Sequence, residues 1–134
     1  NRPEIILDVA HNPAGAWALR GALSERFRDR PLYLVFGAMR DKAINEIAGI
    51  LFPTAEVVIA THTEHNPRSA ITAESRESGE RTGAEIIEVP VVKDAIDKAV
   101  AAATEHKHLG APVIVVTGSI YIVGEAVQAL GLRI

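Results

Sequence analysis

Five short runs rich in Val, Ile and Leu alternate along the chain with longer segments of helical periodicity. Strands that are buried on both faces of a parallel sheet have this nearly continuous apolar character. The alternation of strand and helix predicts an α/β fold with three layers, an open and mostly parallel sheet, and helices on both faces. The predicted strands cover residues 4–10, 32–38, 56–61, 85–89 and 112–118.

Apolar residues at helical spacing predict a helix after the first, second, fourth and fifth strands. Asn12 is a favourable N-cap for the first of these helices, and Pro13 suits its first position. Asp41 can cap the second helix. The polar segment 72–83, which contains Gly79, predicts a weak surface helix or a mobile segment.

The chain has 134 residues and fits one domain, 1–134, with 48% hydrophobic and 23% charged residues, a balance typical of soluble globular proteins. Its apolar runs are too short to span a bilayer, so we expect no membrane partner. The net charge of -3 and the scattered basic residues argue against nucleic-acid binding. The chain has no cysteine, which excludes disulfides and thiolate metal sites and fits the cytoplasmic location that we expect.

Polar side chains with useful chemistry concentrate at the carboxyl ends of the predicted strands. In open α/β sheets, ligands bind beyond these ends, near a switch in strand order. The sequence therefore predicts a ligand site at this edge of the sheet. The candidate residues are Asp8, His11, Asn12, Arg40, Lys42, Arg68 and Ser119.

Asp8, His11 and Asn12 stand where the first strand turns into the first helix. The Asp8 carboxylate can accept hydrogen bonds from ribose hydroxyls or help to hold a cation, and it can equally accept backbone N–H bonds from the turn. His11 is needed for neither cap nor core, which favours contact with a phosphate, a carboxylate or a nucleotide at the helix N-terminus. Asn12 is a candidate nucleotide-binding residue beside them, although its role as the N-cap is a strong alternative explanation.

Cationic side chains follow the second and third predicted strands. Arg40 and Lys42 suit a phosphate or an acidic substrate, although solvated surface charge is the commoner role of such residues. Arg68 is a bidentate donor for a carboxylate or a phosphate. His62 and His65, in the same loop, have no further ligand at metal-binding spacing, so we expect no metal site in this domain.

Motifs of several common nucleotide-binding and catalytic folds are absent from the sequence. Without a GxxxxGK[ST] loop or a GxGxxG fingerprint, this domain alone is not expected to hold a triphosphate or a dinucleotide strongly. The lack of a GxSxG elbow argues against a hydrolase of the α/β class. A phospho-receiver domain is also excluded, because Ala60 and Thr61 end the third strand, where such a domain has an Asp.

The candidate residues lie in four segments, ILDVAHNPAGAWAL (6–19), LVFGAMRDKAINEI (34–47), NPRSA (66–70) and VTGSIYIVGEA (116–126). Together these segments resemble the C-terminal domain of folylpolyglutamate synthases and bifunctional dihydrofolate synthases, which belong with the Mur ligases. They occur in the order of the family, and from the first to the last they span residues 6–126, nearly the whole length of the chain. One departure is Ala43, where the family usually has Asp.

The resemblance implies an ATP-dependent amide ligase, in which a carboxyl group is phosphorylated and the amine of L-glutamate attacks the acyl phosphate. The carboxyl would belong to dihydropteroate or to a folate. A separate N-terminal ATPase domain, absent from this chain, would carry the P-loop and hold most of the ATP and Mg²⁺. This chain would be the C-terminal lid, inactive alone.

The same resemblance implies roles for residues of the lid. Asp8 would hold the ATP ribose or order the groups around it, and His11 would lie beside the nucleotide and its phosphates. From their place at the sheet edge, Arg68 and Ser119 would face the incoming glutamate.

Two alternatives stay open. The chain could be the C-terminal domain of another Mur-type ligase, such as one of peptidoglycan synthesis, although the Thr-Gly-Ser-x-Tyr segment resembles the folate enzymes. It could also be a non-catalytic α/β binding domain. The sequence does not separate dihydrofolate synthesis from the extension of polyglutamate tails.

Overall fold

Strands and helices alternate throughout the computed structural model, which describes residues 3–40, 43–63, 66, 69–105 and 110–131. Short 3₁₀ turns at Phe52–Thr54 and Glu80–Thr82 follow the second and third helices. The strands are β1 (Glu4–Leu7), β2 (Leu32–Phe36), β3 (Val57–Ala60), β4 (Ile86–Glu88) and β5 (Val113–Thr117). The helices are α1 (Pro13–Arg26), α2 (Ile44–Leu51), α3 (Thr72–Gly79), α4 (Val92–Glu105) and α5 (Ile120–Ala129).

The described strands form one parallel sheet in the order β1-β5-β2-β3-β4. The last strand of the chain, β5, therefore enters between β1 and β2, where Leu34 pairs with Val115 on one side and with Val58 on the other. All pairings are parallel, so the carboxyl ends of the strands lie along one edge. The predicted parallel α/β fold is confirmed.

Helices cover both faces of the sheet. On one face α1 packs against α2 and α2 against α3, while α4 packs against α5 on the other. The first core includes an edge-to-face contact between Phe36 and Phe52, whose ring centroids lie 5.1 Å apart. The second core joins Tyr33, Ile59 and Ile114 of the sheet to apolar residues of α4 and α5. Side chains that alternate along β2 and β5 thus contribute to different cores.

Burial of the strands follows their place in the sheet. β2, β3 and β5 are buried along almost their whole length, as predicted. β1 and β4 are edge strands, and Glu4 and Glu88 are exposed. Both strands still contribute to both cores, with Ile6 and Ile86 in the first and Leu7 and Ile87 in the second, so the predicted burial on both faces is confirmed. The two strands are less buried because each has a neighbouring strand on one side only.

The first helix begins as the sequence predicts. The Gly15 N–H donates to Oδ1 of Asn12 (2.7 Å), and Pro13 occupies the first helical position. The second helix begins at Ile44, and Ala43 takes its cap position without a side-chain hydrogen bond. The cap expected for this helix, Asp41, lies outside the described residues.

The segment 72–83 is an ordered part of the fold. Gly79 lies so close to the Phe52 ring that a Cβ there would overlap it. The Thr72 hydroxyl donates to Oε1 of Glu88 (2.9 Å), and Nη1 of Arg76 donates to the carbonyl oxygen of Ile86 (3.0 Å). The helix predicted here is confirmed, and the alternative of a mobile segment is wrong, because β4 and Phe52 hold a helix whose own sequence is weakly apolar.

Candidate functional site

The polar loops of the chain meet at one edge of the sheet, beside β5. The helices that follow the neighbouring strands β1 and β5 lie on opposite faces, since α1 packs in one core and α5 in the other. In an open α/β sheet this arrangement opens a crevice at the carboxyl ends of the two strands. The loops that flank the crevice contain Asp8, His11, Asn12 and Ser119.

Hydrogen bonds join the turn after β1 to β5 and β5 to the turn after β2. The Asp8 N–H donates to the carbonyl oxygen of Val116 (3.0 Å), and the Gly37 N–H donates to that of Thr117 (3.3 Å). The buried Thr117 hydroxyl also reaches the carbonyl oxygen of Ala10 (3.5 Å). The backbone of the crevice is therefore held by the sheet itself.

The turns after β2 and β3 are joined in the same way. The Ala70 N–H donates to the carbonyl oxygen of Ala38 (2.8 Å), and Met39 forms an isolated antiparallel bridge with Ser69. The Ser69 hydroxyl accepts from the Thr63 N–H (3.2 Å), which closes the loop after β3 on itself. These contacts extend the edge from β1 to β3.

Asp8 is half-buried and takes the structural role that the sequence leaves open. Its Oδ1 accepts from the Ala10 N–H (2.9 Å), so one carboxylate oxygen shapes the turn. A carboxylate has a second oxygen with acceptor capacity of its own. Asp8 can therefore hold the turn and accept a hydrogen bond from a ligand at the same time.

His11 and Asn12 are both exposed at the start of α1. Nδ1 of His11 lies 2.9 Å from the carbonyl oxygen of Val9. Asn12 caps the helix, whose first turn contains no acidic residue. The helix N-terminus thus keeps its positive end without a neutralising carboxylate of its own.

Ser119 caps α5 and is 2% exposed, with its Oγ accepting from the Ile122 N–H (3.1 Å). Capping of α5 is a sufficient structural reason for a serine at this position. A hydroxyl can still donate its hydrogen while it accepts, so the cap does not prevent contact with a ligand.

Among the predicted cationic residues, the structure describes Arg40. Its Nε lies 3.0 Å from Oε1 of Glu74 and 3.4 Å from Oε2, so that the guanidinium is paired within the chain. Lys42 and Arg68 lie outside the described residues, as do Glu64 and His65 of the histidine-rich loop.

A cleft of about 540 Å³ lies on the same edge, between the loop after β3 and the first turns of α5. A larger groove of about 760 Å³ runs between α2 and the end of α3 and contains none of the predicted site residues. The smaller cleft is open and contains none of them either, but its lining residues Ile120 and Tyr121 directly follow Ser119, so it adjoins the predicted site. Its lining includes Thr63, Asn66, Ile120, Tyr121, Gly124 and Gln128.

Within the described parts of the chain, no group of three or more His, Cys, Asp or Glu side chains could hold a metal ion. No helix in the same residues is long and apolar enough to cross a membrane.

Sequence reasoning missed two features of this edge. Glu74 was not connected with Arg40, because the two residues are 34 positions apart and a surface ion pair leaves no periodic signal. The closeness of Gly118 to Gly37 was also missed. Gly118 has φ +121°, and a Cβ there would overlap the carbonyl oxygen of Gly37. The glycine at the end of β5 was visible in the sequence, but its partner was not.

The fold and its polar edge define an α/β domain of the type that binds ligands at the carboxyl ends of its strands. The model of the family described as "Mur ligase, glutamate ligase domain" matches residues 1–120. The chain belongs to this family.

The sequences of two relatives match almost the whole chain. The dihydrofolate synthase/folylpolyglutamate synthase of Mycobacterium tuberculosis is 33% identical over 138 residues, which is 96% of this chain and 28% of the relative. A probable bifunctional folylpolyglutamate synthase/dihydropteroate synthase of Halobacterium salinarum is 36% identical over 92% of this chain and 14% of its own length. The chain thus spans less than a third of these relatives.

A solved structure of similar fold is the Mycobacterium tuberculosis folylpolyglutamate synthase complexed with ADP and AMPPCP. It has a TM-score of 0.84 and 34% identity over 96% of this chain and 30% of its own. The bifunctional folylpolyglutamate synthase/dihydrofolate synthase of Yersinia pestis, complexed with AMPPNP and a Mn ion, has a TM-score of 0.77 and 25% identity over 96% of this chain and 28% of its own. Both of these proteins, each of which contains a domain similar to this chain, bind a nucleotide.

Proposed function

We propose that this chain is the C-terminal domain of a cytoplasmic, ATP-dependent ligase that joins L-glutamate to dihydropteroate, to a folate polyglutamate, or to both. The carboxyl group of the acceptor is phosphorylated, and the amine of glutamate displaces phosphate to form the amide. The observation that carries the proposal is the position of Asp8 and His11 on the turn after β1, beside the crevice at β5, in a chain of the Mur ligase family.

Asp8, His11 and Asn12 form the nucleotide side of the proposed site. The free acceptor capacity of the Asp8 carboxylate suits a ribose hydroxyl, and the uncompensated N-terminus of α1 suits an anionic group. These residues fit part of a nucleotide only. The proposal assigns the P-loop and the magnesium ligands to an N-terminal ATPase domain, which would also be the main binding partner of this one.

Arg40, Lys42, Arg68 and Ser119 form the proposed glutamate side. Glutamate brings two carboxylates, for which guanidinium and ammonium groups are the ordinary partners. Arg40 is exposed at the end of β2 and can exchange its present partner for a ligand. Lys42 and Arg68 are included in the proposed site on the basis of the sequence alone.

The domain would act as a lid. Acyl phosphates react readily with water, so a domain that closes over the nucleotide and excludes water protects the intermediate while it positions the amine. Because the lid supplies only part of the site, we expect the isolated chain to be inactive.

The proposal is tested by incubating the complete ligase with ATP, labelled L-glutamate and either dihydropteroate or tetrahydrofolate, and by identifying the products by mass spectrometry. Addition of one glutamate to either acceptor, with release of ADP and phosphate, is the expected result. No transfer to either acceptor would contradict the proposal. Transfer of an amino acid to a peptidoglycan precursor would instead indicate another Mur-type ligase.

A further inference from the structure

We infer that His11 acts through Nε2 as a hydrogen-bond acceptor, and so binds an N–H or O–H group of a substrate rather than a phosphate oxygen. The inference rests on the proposed function, which places a nucleotide and an amino acid at this edge. It adds the chemical character of the group that the imidazole recognises.

The hydrogen-bond partner of the other ring nitrogen sets the tautomer. Nδ1 of His11 lies 2.9 Å from the carbonyl oxygen of Val9, which can only accept. Nδ1 must therefore carry the hydrogen. A neutral imidazole has one N–H group, so its Nε2 presents a lone pair.

The Val9 carbonyl is well placed to impose this tautomer because the backbone on either side of it is fixed. The Asp8 N–H donates to the carbonyl oxygen of Val116 (3.0 Å), and Oδ1 of Asp8 accepts from the Ala10 N–H (2.9 Å). Ala10 itself is buried. The arrangement is similar to that of histidines whose backbone hydrogen bond at one nitrogen orients the other toward a ligand.

The acceptor nitrogen of His11 is open to a ligand. The residue is exposed, and no described residue forms a hydrogen bond with Nε2. A fully ionised phosphate has no hydrogen to donate to a lone pair. The inference assigns this donor to a ribose hydroxyl of the nucleotide or to the ammonium group of the amino acid.

The tautomer can be measured on the 134-residue chain, without turnover. Two-bond ¹⁵N–¹H correlation spectra at the pH of the ligase assay distinguish a protonated ring nitrogen from a bare one, and the loss of signals in His11→Gln assigns the residue. We expect hydrogen on Nδ1 and a bare Nε2. Hydrogen on Nε2 would overturn the inference. The spectra of His62 provide an internal comparison, because its Nδ1 also lies close to a backbone carbonyl oxygen, that of Thr63 (3.1 Å).

Two amide variants of the complete ligase separate the acceptor role from a structural one. The Gln amide of His11→Gln reaches about as far as Nε2 and can present an oxygen there. The Asn amide of His11→Asn can replace only the bond from Nδ1 to Val9. We expect kcat/KM about two- to tenfold lower in His11→Asn than in His11→Gln, the loss of one hydrogen bond to a neutral partner, and a larger ratio for a charged partner. Equal losses in the two variants would overturn the acceptor role.

Nucleotide analogues then identify the donor. If the donor is a ribose hydroxyl, 2′-deoxy-ATP or 3′-deoxy-ATP reacts more slowly than ATP in the wild type, and His11→Asn abolishes that preference. If the donor is the ammonium group, His11→Asn raises KM for glutamate and leaves the preference unchanged. If His11→Asn changes neither the preference for ATP over its deoxy analogues nor the KM for glutamate, the inference is overturned. A wild-type ligase without activity would overturn the proposed function, whereas the tautomer would still be decided by the spectra.

Discussion

The guanidinium of Arg40 lies 3.0 Å (Nε) from Oε1 of Glu74, and this contact joins the turn after β2 to the first turn of α3. The two side chains are 54% and 35% exposed. An ion pair with this exposure contributes only about 0–1 kcal/mol, because water and salt screen it. A substrate carboxylate with further contacts can therefore replace Glu74 on Arg40.

Glu74→Gln and Arg40→Gln should have opposite effects on the KM for glutamate in the complete ligase. The first frees the guanidinium and should lower KM by up to about fivefold, the factor that corresponds to 1 kcal/mol. The second removes the guanidinium and should raise KM. Steady-state kinetics at saturating ATP provide the test. A change of the same sign in both variants would show that the pair only supports the loops.

The matched control is another exposed ion pair, formed by two residues that belong to neither side of the proposed site. Lys93 and Asp97 lie 3.7 Å apart on α4. Neither Lys93→Gln nor Asp97→Asn should change the KM for glutamate.

Gly118→Ala should destabilise the chain by at least about 2 kcal/mol. A residue with a Cβ is strained at φ +121°, and the added methyl would also meet the carbonyl oxygen of Gly37. Gly83→Ala is the control, since Gly83 also has a positive φ (+74°) but has open space at its Cβ position. Urea unfolding followed by circular dichroism measures both. Equal losses in the two variants would mean that the contact between the two turns is unimportant.

Ser119→Ala should lower the free energy of unfolding by about 1–2 kcal/mol, because the buried Ile122 N–H loses its acceptor. Ser119→Asp, which keeps an acceptor at the cap, should recover much of this stability. If the hydroxyl also binds glutamate, Ser119→Asp should restore stability but not the KM for glutamate. Recovery of both quantities would restrict Ser119 to the cap.

Stability should fall at alkaline pH because of Tyr33. Burial, together with the negative charges of Glu56 and Glu85, raises the pKa of Tyr33 above 10.0. Above pH 10 the unfolded chain loses this proton while the folded chain keeps it, so the free energy of unfolding decreases as pH rises. We expect a steeper decrease between pH 9 and pH 11 in the wild type than in Tyr33→Phe.

Tyr121→Phe is the control for this experiment, because Tyr33 and Tyr121 are the two tyrosines of the chain. This variant should keep the alkaline decrease. Its absorbance titration near 295 nm also reports Tyr33 alone and should show a midpoint above pH 10. An identical pH slope in wild type and Tyr33→Phe would contradict the prediction.

The local elements of the fold were predictable because each follows from a pattern within one short segment. The cap at Asn12 and the helical spacing of Ala16, Leu19 and Leu23 needed no knowledge of the rest of the chain. The insertion of β5 between β1 and β2 was not predicted, since it depends on contacts between distant segments, such as the pairings of Val113 with Glu4 and with Leu32.

The candidate site likewise has features that could be predicted from the sequence and features that could not. The turn that contains Asp8 and His11 was found from its composition and its place after a strand. The pairing of Arg40 with Glu74 and the burial of Ser119 under its cap needed coordinates, because a charged or hydroxyl side chain has the same sequence signature whether it is paired or free.

The most direct measurement is kcat/KM for ATP in the complete ligase with Asp8→Asn, compared with Asp97→Asn. The Asn amide keeps an oxygen for the Ala10 N–H, so the turn should survive, and circular dichroism should show an intact fold. Loss of the charge that accepts from the nucleotide should lower kcat/KM about 10- to 100-fold, whereas Asp97→Asn should behave as wild type. An unchanged kcat/KM in folded Asp8→Asn would contradict the assignment of this edge to the nucleotide.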